Sequence, residues 1–78
     1  MNIYVGNIPY QISAGDLREL FSIFGSVKSV RLIKDRFLND SRGFGYVNMP
    51  SKENSLAAIK HLNGKELLRR VIEVNEIN

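Results

Sequence analysis

Aromatic, basic and amide side chains occur together in one stretch, RGFGYVNM at residues 42–49, and this combination favours binding over catalysis. If the stretch is a β-strand, Phe44, Tyr46 and Asn48 share one side of it with Arg42, since side chains alternate between faces. Every nucleobase has a π-face, and stacking on an aromatic ring contributes about 1–3 kcal/mol per base. A neighbouring guanidinium can meet a phosphate. The pattern therefore predicts a surface on which bases stack.

Side chains of the same kinds occur in the neighbouring segments. Tyr4 stands in a short β-rich stretch near the N-terminus, and Asn75 stands near the C-terminus. Three basic residues, Arg31, Lys34 and Arg36, occur within residues 31–36. The predicted nucleic-acid-binding residues are Tyr4, Arg31, Lys34, Arg36, Arg42, Phe44, Tyr46, Asn48 and Asn75. We expect no catalytic residue, cofactor or metal among them, and His61 has no second His or Cys with which to share a metal.

Alternating strand and helix signals indicate the elements that must position these residues. Strands are predicted at residues 2–6, 27–34, 42–49 and 67–77, the last centred on 71–75. A capping-box-like pair, Ser13 and Asp16, opens the first helix, and its inner face is Leu17, Leu20, Phe21 and Phe24. Gly25 ends it. Ser51 caps the second helix, whose inner face is Ser55, Ala58, Ile59 and Leu62.

The order βαββαβ predicts an α+β, ferredoxin-like fold with a four-stranded antiparallel sheet and both helices on one face. The aliphatic positions of the strands then face the helices: Ile3, Val5, Val30, Leu32, Val47, Met49, Ile72 and Val74. Gly43 and Gly45 share that side, where we expect them to let a helix approach closely. The opposite, uncovered side carries Phe44, Tyr46 and the set Tyr4, Arg31, Ile33, Val71, Glu73 and Asn75.

Length and composition limit the other possibilities. Seventy-eight residues form one small domain, and a chain without cysteine has neither disulfides nor thiolate metal sites. No apolar stretch approaches ~20 residues and no leader is evident, so we expect a cytoplasmic monomer without a membrane segment. The net charge of +3 and the pI near 9.5 favour a polyanionic partner.

The sequence resembles the RNA recognition motif family over residues 1–78. The family's longer signature, Lys/Arg-Gly-Phe/Tyr-Gly/Ala-Phe-Val-x-Phe/Tyr, is similar to residues 42–49, and its shorter signature is similar to residues 3–8, IYVGNI. The resemblance is to short members with a single such domain, in bacteria or of the glycine-rich type. It implies that Tyr4 and Tyr46 stack on adjacent bases, that Phe44 meets the sugars, and that Arg42 pairs with a phosphate.

Three departures from the family pattern accompany the resemblance. Met49 replaces an aromatic residue at a position that faces the core. Asp40 stands where relatives often have a base, in a loop whose Phe37 and Leu38 have no assigned role. Arg69 occupies a turn position at which relatives often have glycine, which predicts strain or a different turn.

Three hypotheses about function are consistent with the sequence. The first is binding of single-stranded RNA, with single-stranded DNA possible, because bases must be unstacked to lie on a sheet. The second is a protein-interaction variant of the fold, and the third is an enzyme, for which neither an Arg-bearing phosphate cradle nor an activated nucleophile is evident. A terminal tail or a partner subunit could also cover the aromatic face.

Overall fold

The computed structural model describes residues 1–34 and 42–77, without the side chain of Arg42. The helices are α1 (Ala14–Ser22) and α2 (Lys52–Leu62). The strands are β1 (Asn2–Pro9), β2 (Ser29–Lys34), β3 (Arg42–Asn48), β4 (Glu66–Leu67), β5 (Arg70–Val71) and β6 (Glu73–Ile77). The predicted strand at 27–34 thus begins two residues later than expected.

Four strands form one antiparallel sheet in the order β2-β3-β1-β6. The predicted aliphatic positions on one side of it pack with the inner faces of α1 and α2 into a single core: Ile3, Val5, Val47, Met49, Ile72 and Val74 from the sheet side, and Leu17, Phe21, Ala58 and Leu62 from the helices. The ferredoxin-like architecture is confirmed. Met49 is fully buried, so its replacement of an aromatic residue concerns packing.

Ser13 starts α1 with the predicted capping box. The Ser13 hydroxyl accepts a hydrogen bond from the Asp16 backbone N–H at 3.1 Å, and the Asp16 carboxylate accepts one from the Ser13 N–H at 2.9 Å. The backbone and then the hydroxyl of Ser13 hold the pKa of Asp16 below its ordinary value of 3.8, because both bonds favour the carboxylate.

A bulge at Asn7 carries β1 beyond the predicted end of the strand. The pairing with β3 shifts between Val5 and Ile8, and Asn7 takes a left-handed backbone conformation with φ 57°. Its side-chain Nδ2 donates to the Val71 carbonyl at 2.8 Å, which ties the bulge to β5. Gly6-Asn7 therefore marks a kink inside the strand and not its end.

The predicted last strand is divided in the structure. Residues 66–71 form a small hairpin, and only β6 joins the main sheet. Leu68 and Arg69, the two loop residues of the hairpin, both have positive φ, 46° and 72°, as a type I′ turn requires. Val71 therefore lies on β5, outside the four-stranded sheet, although its side chain is exposed as predicted.

Gly43 and Gly45 are needed mainly for the contact between strands. A Cβ at Gly45 would lie 2.6 Å from the Arg31 carbonyl oxygen, whereas the nearest atom of α1, on Leu17, would be 3.5 Å away. A Cβ at Gly43 would lie 2.9 Å from the Ile33 carbonyl oxygen. The expected close approach of a helix is thus secondary to the close approach of β2.

Candidate nucleic-acid interface

The sheet register arranges the uncovered side, called here the open face, in rows of side chains that cross the strands. The central row runs Arg31, Tyr46, Tyr4, Asn75 across β2, β3, β1 and β6. The next row, at the ends of the same strands, runs Ser29, Asn48, Asn2, Ile77. On the other side of the central row, Ile33 pairs with Phe44, and Glu73 pairs with Gly6. Two residues of a strand span about 7 Å, which sets the distance between rows.

Three aromatic rings form one cluster in the middle of the open face. The ring of Tyr4 lies 6.3 Å from Phe44 and 6.0 Å from Tyr46, centroid to centroid, and Phe44 lies 6.1 Å from Tyr46. Phe44 and Tyr46 are 36% and 37% exposed, and Tyr4 is partly buried. The rings therefore support one another by edge and offset contacts while they keep surface available to a ligand.

Gly6 makes room for the ring of Tyr4. The two residues point to the same face, and a Cβ at Gly6 would lie 2.7 to 3.0 Å from Cε2, Cζ and the hydroxyl oxygen of Tyr4. The ring thus extends along β1 over a position that has no side chain. A larger residue at position 6 would displace the ring from the cluster.

An amide pair lies beside the rings in the row of Asn48. The Nδ2 group of Asn48 donates to Oδ1 of Asn2 at 2.7 Å. These two residues line a depression of about 390 Å³, together with Ser29, Arg31, Tyr46 and Ile77. The depression continues the aromatic cluster toward the edge formed by the strand ends.

The predicted site residues do not all meet at this cluster. Arg31 and Asn75 flank the rings in the central row, and Arg31 is exposed. Lys34 follows Ile33 in β2, so its side chain leaves the strand on the side opposite to those of Arg31 and Ile33. Its Nζ donates to the Tyr10 carbonyl at 2.7 Å and lies 4.8 Å from the centre of the Tyr10 ring. Arg42, the first residue of β3, pairs with Pro9 of β1. Its side chain, Arg36, Phe37, Leu38 and Asp40 lie outside the described residues.

Sequence reasoning did not select Asn2, Ser29 or Ile77, which line the depression. The sequence does indicate the face on which two of them lie, because Asn2 is two residues from Tyr4 and Ser29 is two residues from Arg31. It does not indicate how strands that are distant in the sequence pair with one another. That register alone shows that the three residues share one row.

Charge distinguishes the depression on the open face from a second depression on the helix side. This second depression, of about 600 Å³, lies between α1 and the β4–β5 hairpin, and its lining contains three carboxylates and no basic side chain: Gln11, Ile12, Asp16, Glu19, Leu20, Ile23, Glu66, Leu67 and Leu68. Such a lining repels a polyanion. The depression on the open face, whose one charged lining residue in the described part of the chain is Arg31, is therefore the better site for nucleic acid.

Other kinds of site have little support in the part of the chain that the structure describes. Among residues 1–34 and 42–77, no three His, Asp or Glu side chains are grouped so as to hold a metal ion. No helix in these ranges is long and apolar enough to cross a membrane.

The chain is similar to proteins named for RNA binding. A relative from Nostoc sp., "Putative RNA-binding protein RbpE", is 46% identical over 76 residues, which cover 97% of this chain and 77% of the relative. The crystal structure of RNA binding protein PG1 is 42% identical, covers 99% of this chain and 93% of its own, and superposes with a TM-score of 0.87. The structure of the Rna15 RRM with bound RNA (GU) is 25% identical over 95% of this chain and 79% of its own, with a TM-score of 0.80.

The family model of the RNA recognition motif matches residues 3–73. This match includes both signature stretches, which the structure places side by side on the paired strands β1 and β3. Because it spans nearly the whole chain, the chain belongs to the RNA recognition motif family.

Proposed function

We propose that this protein binds single-stranded RNA on its open face by stacking bases on its aromatic cluster. The observation that supports this most directly is the contact of three rings, Tyr4, Phe44 and Tyr46, on the side of the sheet away from the helices. A cluster of this kind in water is costly unless a ligand covers it. Nucleic acid is a suitable ligand because every base offers a flat π-face.

Membership of the family supports RNA as the ligand. The Nostoc relative and the PG1 structure, most of whose length this chain covers, are both named as RNA-binding proteins, and one neighbouring structure holds RNA. Bases that stack on a sheet must be free of a duplex, so single strands and loops are the substrates. Single-stranded DNA shares the stacking chemistry but lacks the 2′-hydroxyl and has thymine in place of uracil.

Each residue of the cluster has a proposed role. Tyr4 and Tyr46 stack on two adjacent bases, Phe44 lies against the sugars, and Arg42 meets a phosphate. Two stacked bases give a gross contribution of ~2–6 kcal/mol. The contacts of Phe44 with sugars and of Arg42 with a phosphate add to this, while ordering of a flexible strand opposes it, so we expect micromolar affinity, around −8 kcal/mol.

Paired substitutions on the two sides of the sheet test this proposal. Tyr4→Ala, Phe44→Ala and Tyr46→Ala should each weaken RNA binding roughly tenfold or more with little loss of thermal stability. Val5→Ala and Val47→Ala, whose side chains are fully buried on the other side, should instead lower the melting temperature. Fluorescence anisotropy with a labelled oligonucleotide and thermal melts of the same samples measure both effects.

Two results would contradict the proposal. One is binding per folded molecule that the three aromatic substitutions do not alter. The other is a parent protein that fails to bind any single-stranded RNA of mixed sequence. A DNA oligonucleotide of the same sequence, measured alongside, shows how much of the affinity depends on the 2′-hydroxyl.

A monomeric state and a cytoplasmic location are further parts of the proposal. One open face of this size is sufficient for a few nucleotides, and a second copy is not needed to complete it. Light scattering of the purified protein with and without RNA tests the oligomeric state, and fractionation of cells that express the tagged protein tests the location.

A further inference from the structure

We propose that the depression beside Tyr46 selects guanine over adenine and uracil, and that Arg31 and Asn48 are the residues that recognise it. The inference rests on the proposed function, since it needs a base stacked on Tyr46. It goes further in assigning a base to one position and hydrogen-bonding roles to two side chains.

The position of the depression fits a base that lies on Tyr46. Arg31 is the direct cross-strand neighbour of Tyr46, and Asn48 is two residues farther along β3 on the same face. All three line the depression of about 390 Å³. Since rows on the sheet are about 7 Å apart, a base centred on Tyr46 directs one edge toward Arg31 and another toward Asn48.

The amide of Asn48 is oriented by its neighbour. One hydrogen of its Nδ2 group is donated to Oδ1 of Asn2 at 2.7 Å. This bond fixes which end of the amide faces Asn2 and leaves Oδ1 of Asn48, at the other end, as an acceptor. An acceptor held in place discriminates between bases better than a freely rotating one.

Arg31 supplies the complementary donors. Its guanidinium has five N–H groups and no acceptor, and its side chain is exposed at the depression. The side chain can therefore form two parallel hydrogen bonds with a base edge that presents adjacent acceptors. Guanine presents such an edge, O6 and N7, and contact of Arg with this edge is the commonest specific contact of Arg with a base.

Guanine satisfies both side chains at once. Its O6 and N7 accept from Arg31, while N1–H and N2–H donate toward Oδ1 of Asn48. Adenine presents its N6 amino group beside both N7 and N1, so the guanidinium meets a donor at one of its two positions. Cytosine has adjacent acceptors, O2 and N3, and an amino hydrogen at N4, so it can satisfy the same two side chains. Uracil offers a single carbonyl to Arg31 on either side of N3–H. The pair Arg31 and Asn48 therefore favours guanine over adenine and uracil.

Hexauridine and hexauridines with a single internal guanosine, adenosine or cytidine test the inference. A short strand can shift its register, so the preferred base reaches the depression wherever it stands. We expect the guanosine oligonucleotide to bind about tenfold more tightly than the adenosine one. The ratio of the two affinities should fall to about twofold or less in Arg31→Lys, which keeps the charge but loses the paired donors of the guanidinium. The same fall is expected in Asn48→Ala.

Gln11→Ala removes an exposed amide from the helix side and is the matched control, for which the parent ratio is expected. Thermal melts of each variant confirm that it is folded at the temperature of the binding measurement. Side-chain amide resonances of Asn48 and Asn2, followed by NMR, should move with the guanosine oligonucleotide and less with hexauridine.

The outcomes distinguish the inference from the proposed function. If the parent protein binds none of the four oligonucleotides, the proposed function fails and the inference fails with it. If the parent binds guanosine and adenosine oligonucleotides equally, or if Arg31→Lys and Asn48→Ala keep the parent ratio, the inference alone is overturned.

Discussion

At the scale of single residues, the missing side chain of Gly45 keeps the open face in register. Alanine there would place a Cβ 2.6 Å from the Arg31 carbonyl oxygen, and that atom belongs to backbone that cannot rotate away. We expect Gly45→Ala to lower the free energy of unfolding by about 1–3 kcal/mol. In Gly15→Ala, on α1, the nearest atom would be Ser13 Oγ at 3.6 Å, so this control should be neutral or stabilise by up to about 1 kcal/mol. Urea denaturation of both variants decides, and equal effects would contradict the role given to Gly45.

A second prediction at this scale concerns Asp16 and acid. Its pKa is below 3.8 in the folded protein because the Ser13 backbone and hydroxyl stabilise the carboxylate. A lowered folded pKa means that the contribution to stability is complete above the unfolded pKa and is lost as the pH falls through the folded one. Asp16→Asn should therefore flatten the fall in stability below about pH 4. Urea midpoints measured from neutral pH down to about pH 2.5 test this, with Glu19→Gln as a control that removes one carboxylate from the same helix. An unchanged pH profile in Asp16→Asn would show that the charge of the Asp16 carboxylate contributes nothing to stability.

At the scale of elements, the β4–β5 hairpin has the most strained turn in the described part of the chain. Leu68 and Arg69 both have positive φ, which costs of order 1–3 kcal/mol for each residue that is not glycine. Asn-Gly is the pair that such a turn favours, so the double variant Leu68→Asn, Arg69→Gly should stabilise the protein by about 1–2 kcal/mol. Little burial is lost, since Leu68 is 60% exposed.

The matched control for this turn is Leu68→Ala, Arg69→Ala, which shortens both side chains but keeps a Cβ at each position. It should not raise the urea midpoint, because alanine has the same difficulty with positive φ. A double alanine variant as stable as the Asn-Gly variant would show that the side chains, and not the backbone, carry the strain.

For the whole molecule, local patterns predict the layers of the fold, while contacts between distant segments decide the details. Alternation along each strand is enough to place Tyr4, Phe44 and Tyr46 opposite the core. The bulge at Asn7 is not predictable in this way, since Gly6-Asn7 is equally typical of a strand end. The hairpin of residues 66–71 lacks the Asn-Gly signature of its turn. The Asn2–Asn48 pair depends on the register of two strands far apart in the sequence, which composition and spacing do not determine.

The final prediction, also for the whole molecule, is a weak dependence of RNA binding on salt. Each phosphate contact on a single strand contributes about −0.7 to the slope of log affinity against log salt concentration, so two or three contacts give roughly −1.4 to −2.1. Arg42 and one or two neighbouring cations can supply these contacts, and Lys34 contributes less because Tyr10 holds its amino group. Arg42→Ala should reduce the slope by about one contact, whereas Lys60→Ala, exposed on α2, should keep the parent slope. Anisotropy titrations at four salt concentrations measure the slope for the parent and both variants. A slope several times steeper would mean that charge, and not stacking on the aromatic cluster, dominates the affinity.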